Sequence, residues 1–524
     1  SVEVSKVSTP DMDAEGLGGQ VNIRTKSPFD HDGLAAAFSV EGQYSALTGQ
    51  LGAKFNGALS TVTADGRLGV LVAPTWQKRR FGSYNFEEDG WSPQVSPTDG
   101  KEYYVLEAIN FRDYQIERER YGANAALEGR PSADTRWHLR TTYSKFTDHE
   151  YRNRSVFDFT EGTLIAADAN SATFNKQRRW RRDVRLREKI QDLGAAELGG
   201  ETRWQDWHLD GQLAWSRGHE SNPGEASVRF RHNTRDGSFR YTFDGPYAVT
   251  LEQLAGGAID DPTTYALQRI DYSNDSGNEN EFDAGLNARL DLATANPASL
   301  KVGALFRGKK KDKEVEAYEL TTAPADFTFA NLAGGVSDYP YLHVPRVDGD
   351  RASQAFYGNF GAFSGARVFE DSELEDWVSH EDVLAAYLMG TTRIGATTLI
   401  AGVRVEHTQF DTTGNDLDLA NEVVLGRTRT KHDYTNWLPG IYLRHDLGKD
   451  VTLRASWSNT LARPAFSESA AYTGINDDDG EVTQGNPGLE ALTASNLDAS
   501  VEYYLPALGV FSAGVFYKQI DNFS

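Results

Sequence analysis

The chain contains no cysteine and only two methionines. The first absence excludes a disulfide scaffold and any thiolate-held metal or iron–sulfur site. It also suits a protein exported through an oxidising periplasm. No stretch approaches the run of about 18 apolar residues that a membrane-spanning helix needs. The opening residues, SVEVSKVSTPDMDAEG, lack the basic and apolar regions of a signal peptide. Basic charge is in deficit, with 53 Lys and Arg against 76 Asp and Glu and a net charge of −23. That balance argues against nucleic acid as a partner, which a basic stripe would favour. It suits solvated loops, and it leaves open a divalent or cationic ligand.

What is plentiful points elsewhere. There are 49 Gly, 26 Phe, 23 Tyr and 10 Trp. Mean hydropathy is low, at −0.54. Low hydropathy does not exclude a membrane, because transmembrane barrels alternate lipid-facing apolar with lumen-facing polar residues. The chain alternates in this way over long stretches. In 136–146, Trp137, Leu139 and Tyr143 oppose His138, Arg140, Thr142 and Ser144. In 282–291, Phe282, Ala284, Leu286, Ala288 and Leu290 oppose Asp283, Asn287, Arg289 and Asp291. The same pattern runs through 206–216, 398–408 and 451–458. Soluble strands run about 5–6 residues, whereas tilted membrane strands need about 9–11. The polar sides also carry Arg, Asp and Glu repeatedly. A dry sandwich core would have to bury those charges unpaired; a wet lumen holds them.

Connections alternate in length. Short turns are predicted at 63–66, 130–135, 293–298, 446–450 and 505–509. Long polar loops are predicted near 79–112, 154–180, 217–275, 319–379, 411–430 and 464–491. Short turns on one side and long loops on the other are the outer-membrane pattern, with the short side periplasmic. Aromatics near strand ends, such as Trp207 and Tyr503–Tyr504, suit an interfacial girdle, although aromatics also favour strands in general. The expected fold is therefore all-β, a transmembrane antiparallel β-barrel of about fifteen strands. An odd count would leave the last residue outside, so the barrel is expected to continue past Ser524.

Signatures of covalent chemistry are missing. His149, His219 and His380 each precede a Glu, yet none has a second His four residues on to complete a zincin motif. There is no G-x-S-x-G elbow and no P-loop. The chain is read as a non-enzyme with no cofactor and no metal site. The acidic run Asp477, Asp478 and Asp479 does not match an EF-hand loop and reads as a solvated turn. Two basic islands, 178–187 and 307–313, read as rim charge; contact with lipopolysaccharide phosphates, or neutralisation by lumen acids, stays open. Loop aromatics Trp91, Tyr103, Tyr104, Phe157, Phe159, Trp180, Tyr339, Tyr341 and Trp377 are expected to be exposed. They suit either stacking on a ligand or packing the loops together. Trp91, Tyr104, Trp180, Tyr339, Tyr341 and Trp377 are the candidate ligand contacts.

Three stretches carry a resemblance. The first is PDMDAEGLGGQVNIRTKSPFD at 10–30, with Asp13, Gly18, Gly19, Val21, Asn22, Ile23, Thr25 and Lys26 in a D-x-x-x-x-G-G-x-V-N-I-x-T-K pattern. The second, at 437–468, ends in T-x-A-R-P-x-F-x-E with Thr460, Ala462, Arg463, Pro464, Phe466 and Glu468. The third, at 485–523, contains G-N-P-x-L with Asn486 and Pro487, then S-N-x-D, E-Y-Y and F-Y-K-x-I-x-N-F. Together they resemble TonB-dependent receptors, specifically the subfamily abundant in Xanthomonas- and Caulobacter-like bacteria. The resemblance implies that residues 1–30 are the C-terminal end of a plug domain and that 31–524 are an incomplete barrel. Fifteen of an expected 22 strands would be present. It further implies a monomer in the bacterial outer membrane, contacting lipid and lipopolysaccharide. TonB, with its ExbB/ExbD motor, would act through the rest of the plug. The activity implied is energised uptake of a bulky small molecule, with an oligosaccharide favoured over a ferric siderophore or cobalamin. A passive porin-like channel is the main rival, and a plug separates the two.

Overall fold

The computed structural model describes residues 2–177, 179–233, 236–245, 248–339, 342–477, 480–505 and 509–523. Fifteen long strands follow one another around an antiparallel barrel wall. They are β1 (Ala35–Ser45), β2 (Gln50–Val62), β3 (Leu68–Val95), β4 (Glu102–Gly129), β5 (Thr135–Asp158), β6 (Arg179–Trp204), β7 (Trp207–His232) and β8 (Tyr265–Leu292). The remainder are β9 (Ala298–Thr322), β10 (Trp377–Ile394), β11 (Thr397–Asp418), β12 (Val423–Leu447), β13 (Val451–Ala462), β14 (Leu492–Leu505) and β15 (Gly509–Asp521). Each strand ladders onto its neighbour in sequence. The strand order is that of a barrel. At the seam β1 follows β15 in that order, β1 laddering with β2 and β15 with β14 on their other sides. Both end strands are exposed along most of their length.

Alternation sets the two faces. Leu139, Leu213, Trp215, Phe282, Leu286, Phe306, Leu384, Leu388, Trp437 and Ile441 form an exposed apolar belt. Arg404, Glu406, Thr408, Thr452 and Ser458, which alternate with Val403, Val405, Leu453 and Trp457 along β11 and β13, are buried on the opposite side. Among the described residues no helix is long and apolar enough to cross a membrane. An unpaired N–H or C=O in hydrocarbon is expensive, and the continuous ladders satisfy these groups within the sheet.

The turns at one end are short: 63–67, 130–134, 205–206, 293–297, 395–396 and 448–450. The predicted turn at 505–509 falls partly outside the described residues. At the other end the predicted long loops need correction. Much of 79–112 is strand, because β3 and β4 run 28 residues each and turn only at 96–101. Segment 411–430 likewise is the top of β11 and β12, joined by 419–422. Residues of strands 24–28 long exceed what a bilayer needs and stand clear of it. Polar residues in a continuous ladder above the membrane need no loop to stay solvated.

True insertions remain at four places among the described residues. Between β13 and β14, Thr473–Asn476 pairs with Glu481–Gln484 and runs parallel to the top of β11. Two pairs of short strands, Thr163–Ala167 with Ser171–Gln177 and Gly237–Gly245 with Ala248–Ala255, join into a four-stranded sheet. The segment before β10 holds short helices at Phe329–Leu332, Gly349–Tyr357 and Phe369–Glu373. These insertions bury an aromatic core with Phe111, Phe157, Phe159, Phe174, Trp180, Phe230, Phe239, Phe329 and Phe356. Phe157 shares its side of β5 with the lipid-facing Leu139 and Tyr143, so the insertions pack on the outer side of the raised wall. The inner side of the same strands is lined with charge.

Leu286 lies about six residues above its short turn, on the lipid side, and is 72% exposed. Leu286→Arg is expected to lower barrel stability in vesicles by about 2–4 kcal/mol. Gln212→Arg, on the lumen side of the adjacent strand, is expected to stay within about 0.5 kcal/mol of the parent. Urea unfolding of the two variants in lipid checks the difference.

Candidate functional site

Residues 8–16 run against the lumen side of β9 to β13. Strand periodicity sends Lys301 and Arg307 of β9 inward, along with Glu381 of β10, Arg404 and Glu406 of β11, and Tyr442 of β12. Each meets the N-terminal segment or one of its partners. Lys301 Nζ lies 2.6 Å from Asp11 Oδ2, and Arg307 Nη2 lies 2.5 Å from Asp13 Oδ2. Arg307 also pairs with Asp283 at 2.9 Å. The Tyr442 hydroxyl donates to the Ser8 carbonyl at 2.5 Å. Backbone bonds complete the seat: Gly16 N–H donates to Leu461 O at 2.9 Å, and Leu461 N–H donates to Ala14 O at 3.0 Å. Ala14, Leu438, Leu461 and Ala491 bury a small apolar cluster around this bridge.

Two sequence motifs more than 400 residues apart therefore converge. Arg463 of the T-x-A-R-P motif reaches Glu15 at 3.3 Å, Glu406 at 2.6 Å and Glu381 at 3.8 Å. Arg404 pairs with Glu406 at 2.6 Å. The side chains of Arg463 and Glu406 are only 3% and 1% exposed. Charges this deep are tolerable only when paired and hydrogen-bonded. The Asp11 carboxyl is pushed up by burial, but the hydrogen bond and charge of Lys301 prevail and hold it below the ordinary carboxylate range. Burial also raises Asp13, and the charge and hydrogen bond of Arg307, the Glu15 backbone N–H and the Arg404 charge together outweigh it to give a net lowering.

The remaining motif residues shape the backbone. Gly19 sits at φ +119°, and a Cβ there would come within 2.6 Å of Ser5 O. Gly18 has open space around it, so only the second glycine is required sterically. Val21 and Asn22 pair with Val4 and Glu3 in a two-stranded ribbon, Val2–Ser5 with Gln20–Ile23. Thr25 and Lys26 lie beyond that ribbon and are exposed. Thr460 is buried and accepts a 3.2 Å bond from the Asn496 amide. Pro464 follows the end of β13. The Glu468 carboxylate accepts from Ala465 N–H at 3.2 Å, and the Asn486 side chain beside Pro487 accepts from Gly488 N–H at 3.1 Å.

The candidate ligand aromatics do not form one group. Trp91 and Tyr104 are exposed, with Trp91 stacked on Phe243 at 5.7 Å. Trp180, Tyr339 and Trp377 are buried, contrary to the expectation of exposure, as are Phe157 and Phe159. Trp180 packs edge-on to Phe239 at 4.9 Å, and Tyr339 to Tyr84 at 5.0 Å. Burying such rings together is favourable, so loop packing claims them first. Tyr341, Asp478 and Asp479 lie outside the described residues.

The basic islands are not rim charge. Arg185 pairs with Glu150, and Arg187 meets Glu150 at 2.9 Å. Lys309 and Lys311 meet Glu281 and Glu279 at 3.1 and 3.3 Å. Arg182 is buried, donates to Ile259 O at 3.1 Å and lies over the Phe157 and Tyr265 rings. Arg152, Arg154, Arg229, Arg231 and Arg269 went unnoticed in the sequence. Their signal was present as Arg-x-Arg spacing at 152–154 and 229–231, which puts both guanidinium groups on one face of a strand.

Residues 211–524 match the family described as TonB dependent receptor-like, beta-barrel. No curated protein matches the chain. Among solved structures, the ferric enterobactin receptor PfeA of Pseudomonas aeruginosa aligns at a TM-score of 0.51 and 13% identity, over 99% of this chain and 57% of that one. The siderophore receptor PiuA of Acinetobacter baumannii aligns at 0.53 and 11%, over 98% and 61%. FpvAI, solved with pyocin S2, aligns at 0.56 and 13%, over 99% and 53%. At these identities the likeness is one of fold, and this chain spans little more than half the length of the receptors it matches.

Arg463→Gln leaves Glu406 and Glu381 short of a partner and is expected to lower stability by about 3 kcal/mol or more, read as a drop in unfolding midpoint. Because Asp11 and Asp13 have lowered values in the folded state, their contribution is full above the unfolded value near 3.9 and is lost as pH falls through the folded values. A spin label on Lys6→Cys, unique in a cysteine-free chain, is expected to stay immobile from neutral pH to about 5 and to loosen below about 4.

Proposed function

Since this chain belongs to the TonB-dependent receptors, outer-membrane transport barrels of Gram-negative bacteria, we propose that it forms the wall of a receptor for active uptake of a bulky small molecule. The supporting observation is the N-terminal segment seated in the lumen by Lys301, Arg307, Tyr442 and Arg463. A freely diffusive porin has no use for a segment clamped there by buried ion pairs. In this reading the segment is the end of a plug, and the clamp holds the plug until pulling by TonB, energised by ExbB and ExbD, weakens it. Lipid covers the apolar belt, lipopolysaccharide meets the outer charged surface, and one chain suffices. The Xanthomonas- and Caulobacter-type assignment, and with it an oligosaccharide ligand, rests on the motif resemblance. A ferric siderophore is the alternative, in keeping with the named cargo of the receptors that share the fold.

The test is accumulation of radiolabelled siderophores, oligosaccharides and cobalamin in cells whose only such receptor is the full-length protein. Accumulation of one ligand class is expected, and a protonophore or loss of TonB should abolish it. Entry at an unchanged rate without energy would overturn active uptake in favour of a passive channel.

A further inference from the structure

The N-terminal segment has a second attachment besides the lumen seat. Residues 8–16 are fastened to β9 and the end of β13 through the ion pairs of Lys301, Arg307 and Arg463. Residues 27–30 meet the lumen side of β3 and β4, beside the short turns 63–67 and 130–134. β4 and β11 are seven strands apart in chain order, so the two attachments stand well apart around the wall. Between them residues 21–26 are exposed throughout.

Residues 27–30 form a single turn that their own side chains close. Ser27 N–H donates to Asp30 Oδ2 at 3.0 Å, Phe29 N–H to Ser27 Oγ at 3.2 Å and Asp30 N–H to the Ser27 carbonyl at 3.1 Å. Every N–H of the turn is thereby used, since Pro28 has none. The wall then grips the turn. The Ser27 hydroxyl donates to Glu128 Oε2 at 2.5 Å, and Glu128 is itself held by Arg140 Nη2 at 2.8 Å. The Arg130 guanidinium lies 3.8 Å from the centre of the Phe29 ring. Pro28 is buried against Gly69, where a Cβ would come within 2.8 Å of the proline ring. The two attachments differ in kind and share no residue. Paired charges close the lumen seat, whereas a hydroxyl, a ring and a proline fasten the turn. Sites so separated break independently.

Tension applied upstream of residue 8 is borne by the seat until the seat opens. It reaches the turn only when residues 17–26 are taut. Those ten residues span at most about 33–36 Å, close to the ~30 Å of a bilayer core. Resting on the reading of this segment as the end of a plug, we propose that residues 27–30 are a fixed tether. The tether stays clasped when the seat opens, and it limits the travel of the seated residues to the reach of 17–26. Glu128 and Arg130 are the positioning residues: the first holds Ser27 and the second holds Phe29. A segment displaced no further than its tether allows returns to the same seat after each cycle.

The test is hydrogen exchange, read peptide by peptide, on the full-length protein in lipid vesicles. In the parent, 8–16 and 27–30 are expected to be protected and 24–26 to exchange freely. Asp11→Asn with Asp13→Asn unloads the seat without altering the wall, and should open 8–16 while 27–30 stays protected. Phe29→Ala with Arg130→Ala should speed exchange at 27–30 by about fivefold or more and leave 8–16 protected. Arg130→Lys, which keeps a cation over the ring, should retain part of the protection. Unchanged heat-dependent gel mobility reports an intact barrel in each variant. Opening of 27–30 together with 8–16 in the asparagine variant, or exchange at 27–30 as fast as at 24–26 in the parent, would overturn the proposal. In cells, the Phe29→Ala, Arg130→Ala protein is expected to admit vancomycin only when TonB is present, and exclusion equal to the parent's would overturn the limit on travel. Energy-independent uptake by the parent, with the exchange pattern as expected, would instead count against the uptake reading and leave the tether standing.

Discussion

A strand in hydrocarbon has no water to satisfy its N–H and C=O groups, so every one must find a partner in the next strand. The rest of the structure follows from that constraint. Continuous ladders from β1 to β15 enforce strict alternation, and alternation sorts side chains into two populations. Within the bilayer these are the apolar belt and the charged lumen. Above it the ladders continue, so the sorting continues with different neighbours. The outer side meets loops and becomes a core of stacked rings around Phe157, Trp180 and Phe239. The inner side keeps its charge and becomes rows of arginine.

Lumen charge is put to use in two distinct ways. Around Arg463, acids and bases are interleaved: Asp13, Glu15, Glu381 and Glu406 against Arg307, Arg404 and Arg463. Such an arrangement suits a seat for one segment of the chain on another, since each buried charge is answered from within the chain. Around Arg181 and Arg229 the acids are shared: Asp183 answers Arg154 and Arg181, and Asp271 answers Arg229 and Arg269, which also meets Glu319.

Legibility divided along the same line. The alternation at 136–146 and 282–291 placed Leu139, Tyr143, Leu286 and their partners on the correct faces, because side-chain direction in a strand depends only on counting residues. The strand count agreed for the same reason. Residues 79–112 and 411–430 were misread as loops, because polar residues look alike in a loop and in a ladder standing in water. Trp180, Tyr339 and Trp377 were misjudged as exposed, because an aromatic residue on a long segment carries no mark of whether another segment will cover it.

The sequence by itself determined the architecture: a membrane wall with short turns at one end and insertions at the other, and the identity of the two motifs. Only the tertiary structure decided that Asp13 and Glu15 meet Arg307 and Arg463 inside one network, and that arginines from β6, β7 and β8 share a cleft. The physical reason is register. A period of two fixes the face of a residue from local sequence, but which residues stand side by side across strands depends on turn lengths, on the bulge at Asn222–Glu225 and on the closing curvature of the whole sheet.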